Sequence, residues 1–421
     1  MDPVVALVFG LVYLGMLLGE IPGLTLERSG VALLGAIALL AAGRLTPEEA
    51  WGAVDVPTIG LLFGLMVVSA QFRLGGFYSK VTRLMAAANV GPAGLLAALI
   101  AVAGGLSALL ANDVVCLAMA PVLIEACGRR GLNPLPFLLA LACASNAGSA
   151  ATLIGNPQNM LIGQRLNLSF REYLWDGGVP AVASLGLVWA IIQRQFRERW
   201  HMPSAATEAP GIEAARIEAP WIEAPAPPFD RWQTAKGFAV LALLVGFFLW
   251  SDVPREVAAL SAAGLLLMSR RLASRDMLGM VDWQLLVLFI GLFVVNHALA
   301  ASGALTVIFE ALRAGGADVS SPGWLFAVSA VLSNLVSNVP AVMLLLLPAA
   351  THPMAGPVLA LASTLAGNLF IVGSIANIIV ADQAARMGVR ISWREHAQVG
   401  VPVTITTLGI AALWLWARAG F

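Results

Sequence analysis

Long apolar runs separated by short polar segments occupy most of the chain. A membrane-spanning helix needs about 20 mostly apolar residues. The runs predict ten crossings, at roughly 4–19, 29–43, 57–72, 135–164, 177–193, 236–250, 255–269, 282–300, 355–381 and 399–417. Two further apolar stretches, 93–127 and 322–350, are longer than one helix and contain the interruptions Ala111-Asn112-Asp113 and Ser337-Asn338-Val339-Pro340. Each of these two stretches is either a single crossing or a re-entrant hairpin.

The distribution of basic residues decides between these alternatives, because cytoplasmic loops of membrane proteins are enriched in Lys and Arg. With ten crossings and two hairpins, 18 of the 24 Lys and Arg residues fall on one side and six on the other. If both stretches cross instead, the division becomes 11 against 13, which specifies no orientation. The charges therefore favour hairpins, with both termini outside, the first hairpin entered from the cytoplasm and the second from the exterior.

The composition supports a membrane protein and excludes several other classes. Hydrophobic residues make up 59% of the chain and charged residues 11%, whereas a soluble domain carries about 25% charged residues. Lys plus Arg equals Asp plus Glu at 24 each, so no basic excess indicates a nucleic-acid partner. The three Cys residues match no zinc spacing. We therefore predict an all-α polytopic membrane protein without a cofactor or metal site.

One segment interrupts the apolar pattern near the middle of the chain. Residues 203–229 are rich in proline and repeat the tripeptide Glu-Ala-Pro at 208, 218 and 223. This composition is typical of a disordered linker. We predict a cytoplasmic linker over about 201–229 that separates two halves and has no transport role.

The two halves are related copies. Arg44-Leu45, Gly52, Val54-Asp55, Gly64-Leu65 and Gly76 recur 227 residues later as Arg271-Leu272, Gly279, Val281-Asp282, Gly291-Leu292 and Gly303. Leu106-Ser107 and Asn112 recur at an offset of 226, and Gly155 and Asn159 at an offset of 218. Each half has five crossings and one hairpin. Since five is odd, the second copy is inverted, an arrangement typical of secondary transporters whose binding site lies where the interrupted helices meet.

The most polar segment within the membrane is 144–159, with the sequence ASNAGSAATLIGNPQN. Its Gly and Pro residues predict a broken helix, and its uncharged polar side chains replace lost hydration without adding net charge. Helix packing by small and polar residues is the alternative reading. We predict that the breaks and hairpin tips form a substrate or ion site from Asn112, Asp113, Ser145, Asn146, Ser149, Thr152, Gly155, Asn156, Asn159, Ser337, Asn338, Thr364, Asn368, Gly373, Ser374 and Asn377.

Asp113 is the one carboxylate deep inside an apolar stretch, and Val339 occupies its position in the second hairpin. Burial of an ionised carboxylate is expensive, so such a group takes up a proton, pairs with a cation or belongs to a proton relay. We predict that Asp113 couples transport to protons, the alternative being a cap of local backbone amides. Asp55 and Asp282 instead begin crossings and are interpreted as helix N-caps.

Two other features admit a functional and a structural interpretation, and a third has a structural one alone. His297 either shuttles protons or packs between helices. Cys116 and Cys143 either meet a thiophilic metalloid or serve as small apolar filler. Residues 75–85 mix charges with apolar spacing, which predicts an interfacial helix leading into the first hairpin.

The run SNAGSAATLIGNPQN, the Ala-Asn-Asp hairpin tip and the Ser-Asn-Val-Pro tip together resemble the ion transporter superfamily, which includes the ArsB and NhaD permeases, the melanosomal P protein and the divalent-anion/sodium symporters. The resemblance covers nearly the whole chain except the linker. It implies an elevator-type transporter, usually homodimeric, in which hairpins and broken helices form a moving transport part. Carried over, the transport part is 88–200 and 315–421, and the scaffold is 1–87 and 230–314.

Within the superfamily, the symporters carry Ser-Asn-Thr at both hairpin tips, and neither tip of this chain does. The Asn112-Asp113 tip looks more like the ArsB permeases, which implies proton-coupled export of arsenite or antimonite and a possible soluble ATPase subunit. We therefore predict a proton-coupled carrier of a small inorganic oxyanion or metalloid in the inner membrane. The alternatives are a sodium-coupled symporter of di- or tricarboxylates, and an ion channel. No enzyme activity is predicted.

Overall fold

The computed structural model of the protein describes residues 2–19, 25–201, 227–349 and 352–419. Most of the predicted linker, 202–226, lies outside the described residues. Within the described part the secondary structure is almost entirely helical, with twenty α-helices and one short 3-10 turn.

The described residues of the first half form ten helices: α1 Pro3–Leu18, α2 Arg28–Ala41, α3 Pro47–Ala53, α4 Val56–Leu74, α5 Phe77–Ala87, α6 Pro92–Leu109, α7 Asn112–Arg129, α8 Pro134–Ser149, α9 Pro157–Arg165 and α10 Phe170–Gln195. The second half repeats this order: α11 Arg231–Trp250, α12 Arg255–Leu267, α13 Ser274–Leu278, α14 Trp283–Ala301, α15 Ala304–Ala314, α16 Pro322–Val336, α17 Asn338–Ala349, α18 Ala355–Ala366, α19 Ile375–Arg386 and α20 Trp393–Ala419.

This order confirms the inverted repeat. In each half, three crossings are followed by a short helix (α5 or α15), a hairpin, a crossing broken in its middle, and a final long helix. The short amphipathic helix α5 lies at 77–87, where the sequence predicts an interfacial helix. Among the described residues, six helices are long and apolar enough to span a membrane by length and composition, namely α4, α6, α10, α11, α14 and α20.

Local sequence explains where the crossings begin. The Asp55 side chain accepts a hydrogen bond from Thr58 N at 2.8 Å, and Asp282 accepts from Leu285 N at 2.9 Å. An N-cap carboxylate satisfies amides that have no partner inside the helix. The prediction that Asp55 and Asp282 are matched caps is confirmed.

The two halves pack through equivalent glycines. Gly64 of α4 lies against Ala259 of α12, and Gly291 of α14 lies against Ala32 of α2, so that a Cβ at either glycine would lie 2.6 Å from a backbone carbon. Small residues allow membrane helices to approach this closely. The pairs α4–α12 and α2–α14 form one group of helices, while α6–α8, α16–α18 and α10–α20 pack together in a second group.

Polar contacts define the two ends of the helices. At one end, here called the termini side, Arg44 pairs with Asp2 at 3.3 Å and Arg418 pairs with Asp176 at 3.1 Å. At the other end, here called the linker side, Asp230 N donates to a carbonyl at the end of α4. Exposed tryptophans, which concentrate at membrane interfaces, occur at both ends. They are Trp51, Trp175, Trp250, Trp324 and Trp416 on the termini side, and Trp232, Trp283 and Trp393 on the linker side.

Candidate functional site

In both broken crossings, an asparagine in the first turn of the second half-helix donates hydrogen bonds to backbone carbonyls of the break. In the first repeat, Asn159 Nδ2 donates to Thr152 O at 2.9 Å and to Ser149 O at 3.4 Å. These carbonyls belong to the break between α8 and α9 and have no helical partner there. The side chain therefore satisfies backbone groups that the break would otherwise leave bare.

The second repeat uses the same device. Asn377 Nδ2 donates to Phe370 O at 3.0 Å and to Gly367 O at 2.8 Å. The two carbonyls again lie seven and ten residues before the asparagine, as in the first repeat. The two breaks are thus built alike although their sequences differ.

Asn146 joins the two breaks near the end of α8. Its Nδ2 atom donates to Asn368 Oδ1 at 2.9 Å and to Asn377 Oδ1 at 3.1 Å. Its Oδ1 atom accepts from Ser374 Oγ at 2.8 Å and from Asn112 Nδ2 at 3.3 Å. One amide therefore contacts the first hairpin tip and both ends of the second break, and all five side chains are buried.

A second cluster surrounds Thr364 of α18. Its hydroxyl accepts from Asn156 Nδ2 at 3.3 Å and from Gln158 Nε2 at 3.2 Å, and donates to Asn159 Oδ1 at 3.3 Å. Asn156 also donates to Ser149 Oγ at 2.9 Å. This cluster brings together four predicted site residues and adds Gln158, which the sequence analysis did not select.

The two clusters are related by the internal repeat. Asn146 corresponds to Thr364, and Asn159 to Asn377, both at the offset of 218 residues. The contact of Asn146 with Asn377 and the contact of Thr364 with Asn159 are therefore equivalent. This exchange of partners is what a two-fold relation between the halves requires, and it places both breaks at the same depth.

Each hairpin tip reaches the break of its own repeat. Asn112 N donates to Gly155 O at 3.3 Å. With its carboxamide turned so that the nitrogen faces the surrounding acceptors, Asn338 donates to Gly373 O at 3.0 Å and to Ser363 O at 3.1 Å. Gly155 and Gly373 are the paired glycines of the repeat, so the hairpin tips occupy equivalent places.

The remaining predicted residues take supporting positions around the breaks. Ser145 Oγ accepts from Cys116 Sγ at 3.1 Å, and Thr152 Oγ1 donates to Ala108 O at 2.5 Å. Ser337 lies at the second hairpin tip with φ of 76°. A non-glycine residue in this region is strained, and such strain concentrates at functional sites.

Asp113 is half-buried in the first turn of α7, next to the network but not bonded within it. Within the described residues its carboxylate accepts no backbone amide and forms no ion pair. The alternative interpretation, in which Asp113 caps the hairpin tip, therefore has no hydrogen bond to support it. Val339 is buried at the equivalent position. His297 is exposed rather than packed between helices.

Two polar atoms of the network lack a partner in the described part of the chain. Asn112 Oδ1 is a buried acceptor and Asn368 Nδ2 is a buried donor. Buried polar groups are usually hydrogen-bonded, and those that are not require an explanation. No Lys or Arg side chain of the described residues bonds to the network. The site therefore offers amide and hydroxyl groups, with one free donor and one free acceptor.

Sequence reasoning missed two rings that bond to equivalent carbonyls of the two breaks. Tyr173 OH donates to Ala150 O at 2.9 Å, and His396 Nε2 lies 3.1 Å from Asn368 O. Both side chains are buried. Tyr173 follows Arg171 and Glu172, and His396 follows Arg394 and Glu395, so each ring lies in a polar stretch at the start of a final helix, outside the breaks to which the site was assigned.

Comparison with known proteins agrees with this architecture. A family model described as a citrate transporter, CitMHS, matches residues 13–366. A protein of Mycobacterium tuberculosis described as an uncharacterized transporter is 31% identical over 93% of this chain and 94% of its own length. The silicon efflux transporter LSI3 of Oryza sativa subsp. japonica is 29% identical, covering 96% of this chain and 95% of the relative.

Among solved structures, the YdaH transporter of Alcanivorax borkumensis has the same fold. The match has a TM-score of 0.59 and covers 99% of this chain and 97% of that chain at 14% identity. The full coverage extends over both repeats.

Proposed function

Because the chain belongs to the CitMHS citrate transporter family of the ion transporter superfamily, and is therefore a multi-pass secondary transporter, we propose that it carries a small inorganic oxyanion or metalloid hydroxide coupled to protons. Arsenite or antimonite efflux is the leading case. The observation that carries this proposal is the uncharged lining of the breaks, with Asn112 Oδ1 and Asn368 Nδ2 unpartnered.

A hydroxylated solute such as arsenous acid presents both hydroxyl donors and oxygen acceptors. A site made of amides and hydroxyls meets both kinds of group and discriminates against solutes that leave its buried polar groups unpaired. A citrate trianion would call for compensating cationic side chains, because buried charges are paired in proteins. The described network contains none.

The rice relative supports the same class of substrate. It is a silicon efflux transporter. Silicon dissolves in water as a small hydroxylated solute, as arsenite does. The similarity covers nearly the whole of both chains, so it includes the breaks and the hairpins. We carry over the chemical class and not the element.

We further propose an elevator mechanism in the inner membrane, with 88–200 and 315–421 as the moving part and 1–87 and 230–314 as the scaffold of a homodimer. The grouping of helices supports this division, because α4–α12 and α2–α14 pack apart from α6–α8 and α16–α18. The excess of Lys and Arg on the linker side supports a cytoplasmic linker and external termini.

Asp113 is the proposed proton-coupling residue. It is half-buried beside the site without an ion-pair partner in the described residues, and Val339 at the equivalent tip does not titrate. In proteoliposomes, Asp113→Asn should retain substrate exchange at equal pH and lose accumulation driven by a pH gradient. Asp382→Asn, which changes an exposed carboxylate of α19, is the control. Gradient-driven accumulation by Asp113→Asn with the ordinary pH dependence would refute the assignment.

Substrate identity is tested by a thermal-shift screen of arsenite, antimonite, phosphate, sulfate, citrate and succinate, each with and without sodium. A ligand at 100 times its Kd adds about 2.7 kcal/mol to stability. We expect stabilisation by arsenite or antimonite without sodium. The second candidate is sodium-coupled transport of a carboxylate, which the description of the family model favours. Stabilisation by citrate or succinate that requires sodium would replace the first proposal with the second.

A further inference from the structure

The final helix of each half places one ring against a carbonyl near the start of the adjacent break. In the first repeat the ring is Tyr173, whose hydroxyl lies 2.9 Å from Ala150 O. In the second it is His396, whose Nε2 lies 3.1 Å from Asn368 O. Ala150 and Asn368 correspond at the repeat offset of 218. The two rings thus perform the same structural task in the two halves.

Glycines strengthen the equivalence of these rings. Gly177 lies four residues after Tyr173, and a Cβ there would contact Ala150 O. Gly400 lies four residues after His396, and a Cβ there would contact Asn368 O. In each half, one turn of the last helix therefore presents a ring and a bare backbone to the same carbonyl.

The difference between the rings is chemical. A tyrosine hydroxyl stays neutral over the physiological range, whereas histidine changes charge there. We propose that His396 is a proton-binding site built into the break of the second repeat, through which the affinity of the substrate site responds to pH. This inference rests on the proposed function, since it assigns a second proton site to the same transport cycle.

The surroundings of His396 leave it as the group that titrates at this point. No Lys, Arg, Asp or Glu occurs in α18, and the titratable residue of α8 is the buried Cys143. On α10, Arg194 is exposed, and so is Arg394 next to His396 on α20. The remaining neighbour in sequence, Glu395, accepts hydrogen bonds from Ser392.

On α10 at the far end from Arg194, Tyr173 and Asp176 lie near the other break, Asp176 paired with Arg418. Arg171 and Glu172 occupy the same termini-side end of α10. Apart from Arg418, which lies at the far end of α20, these groups belong to the first repeat, and none of them bonds to the imidazole. A charge gained at His396 is therefore not neutralised by a neighbouring carboxylate.

The expected direction follows from electrostatics. A carbonyl oxygen only accepts, so the ring nitrogen facing Asn368 O carries the hydrogen in the neutral and in the protonated ring. Protonation thus adds a positive charge and keeps the hydrogen bond. Asn368 also accepts from Asn146 through its side chain, so the charge lies one residue away from the network. An oxygen-rich ligand should bind more tightly when His396 is protonated.

The first test needs no substrate. The chain has four histidines, so a spectrum of histidine-labelled protein in nanodiscs can be assigned by single substitutions. We expect the signal lost in His396→Gln to titrate between pH 5 and 8 in the ligand-free protein. A His396 signal that stays constant over this range would overturn the proposal, whatever the protein transports.

The second test measures arsenite exchange at equal pH on both sides in otherwise wild-type protein, so that any contribution of Asp113 is common to all the variants compared. Arsenous acid stays undissociated over the range, so a change in apparent affinity belongs to the protein. We expect about fivefold tighter binding at pH 5 than at pH 8, at the low end of coupling between sites. His396→Gln, which keeps an N–H donor, and His396→Tyr, which copies the first repeat, should flatten this profile.

His297→Gln removes an exposed histidine and is the matched control, expected to keep the pH-dependent profile. A His396→Gln protein that retains the full profile would refute the inference. Absence of arsenite exchange in every variant, together with titration of His396 in the spectrum, would refute the proposed substrate and leave the proton site standing. The two failures are therefore distinguishable.

Discussion

An ion pair on the termini side offers the sharpest test of the proposed movement. Arg165 Nε, at the end of α9, lies 2.6 Å from Asp55 Oδ2 at the start of α4. Beside it, Gln164 donates to Glu256 at 3.0 Å. Both contacts connect the proposed moving part to the proposed scaffold. We predict that Asp55→Asn releases this end of the moving part, while the asparagine still caps the helix as Asp55 does through Thr58 N.

The size of the effect follows from the exposure of the pair. The side chain of Asp55 is 10% exposed and that of Arg165 is 46% exposed. Exposed pairs contribute about 0.2–1 kcal/mol, and hydrogen bonds to charged groups contribute about 1.5–3 kcal/mol when shielded. A half-shielded pair is worth about 1 kcal/mol, which corresponds to about a fivefold change in a two-state equilibrium.

The assay is the labelling rate of a cysteine at Leu166 with a thiol reagent that does not cross membranes. Leu166 lines a cavity of about 310 Å³ beside Arg165, between α14 and α17, and the three native cysteines are buried. Labelling should be about fivefold faster in the Asp55→Asn background. Asp282→Asn is the control, because Asp282 makes the same cap and has no ion pair within the described residues. Equal rates in wild type and Asp55→Asn, or an equal effect of Asp282→Asn, would refute the reasoning.

Three further substitutions test the site and its packing. Asn156→Ala or Asn159→Ala should lower transport without preventing membrane insertion, because each removes side-chain hydrogen bonds that stabilise the break. Full activity of both variants, measured by uptake at matched expression, would indicate that the polar run serves packing alone. Gly148→Ala should lower thermal stability by about 1–3 kcal/mol, because a Cβ would run into the backbone of Gly104. Gly178→Ala, whose Cβ meets nothing within 4 Å, is its control, and equal melting temperatures would contradict the close packing.

The fold was predictable because membrane helices and internal repeats both produce patterns that extend over many residues of the sequence. Apolar length specifies the crossings, and glycine and aspartate pairs such as Gly64 with Gly291 and Asp55 with Asp282 mark the repeat directly. These residues recur because the same packing contact or cap is needed twice. Where both copies need the same chemistry, sequence identity survives and reveals the relation.

The parts of the site that were missed are those in which the two copies differ. Tyr173 and His396 are unlike residues, and their separation (396 − 173 = 223) differs from the offset of 218 that relates Ala150 to Asn368. The intervening loops differ in length, so no common register connects ring and carbonyl along the sequence. Gln158 contacts Thr364, but its equivalent at the offset of 218 is Ala376, so the repeat offers no polar partner that marks it.

The same differences bear on direction of transport. An inverted repeat with identical halves would favour neither side, because exchanging the halves exchanges the two ends of the molecule. The described structure departs from that symmetry at Asp113 against Val339 and at His396 against Tyr173. In both pairs the residue that we propose binds a proton lies on an element that enters from the linker side. The ion pair at Asp55 lies at the opposite end. Proton binding at the proposed sites on the linker side, and the ion pair on the termini side, would each favour one of the two positions of the moving part, which the symmetric fold alone would populate equally. A coupling free energy of about 1–3 kcal/mol at each site suffices for that bias.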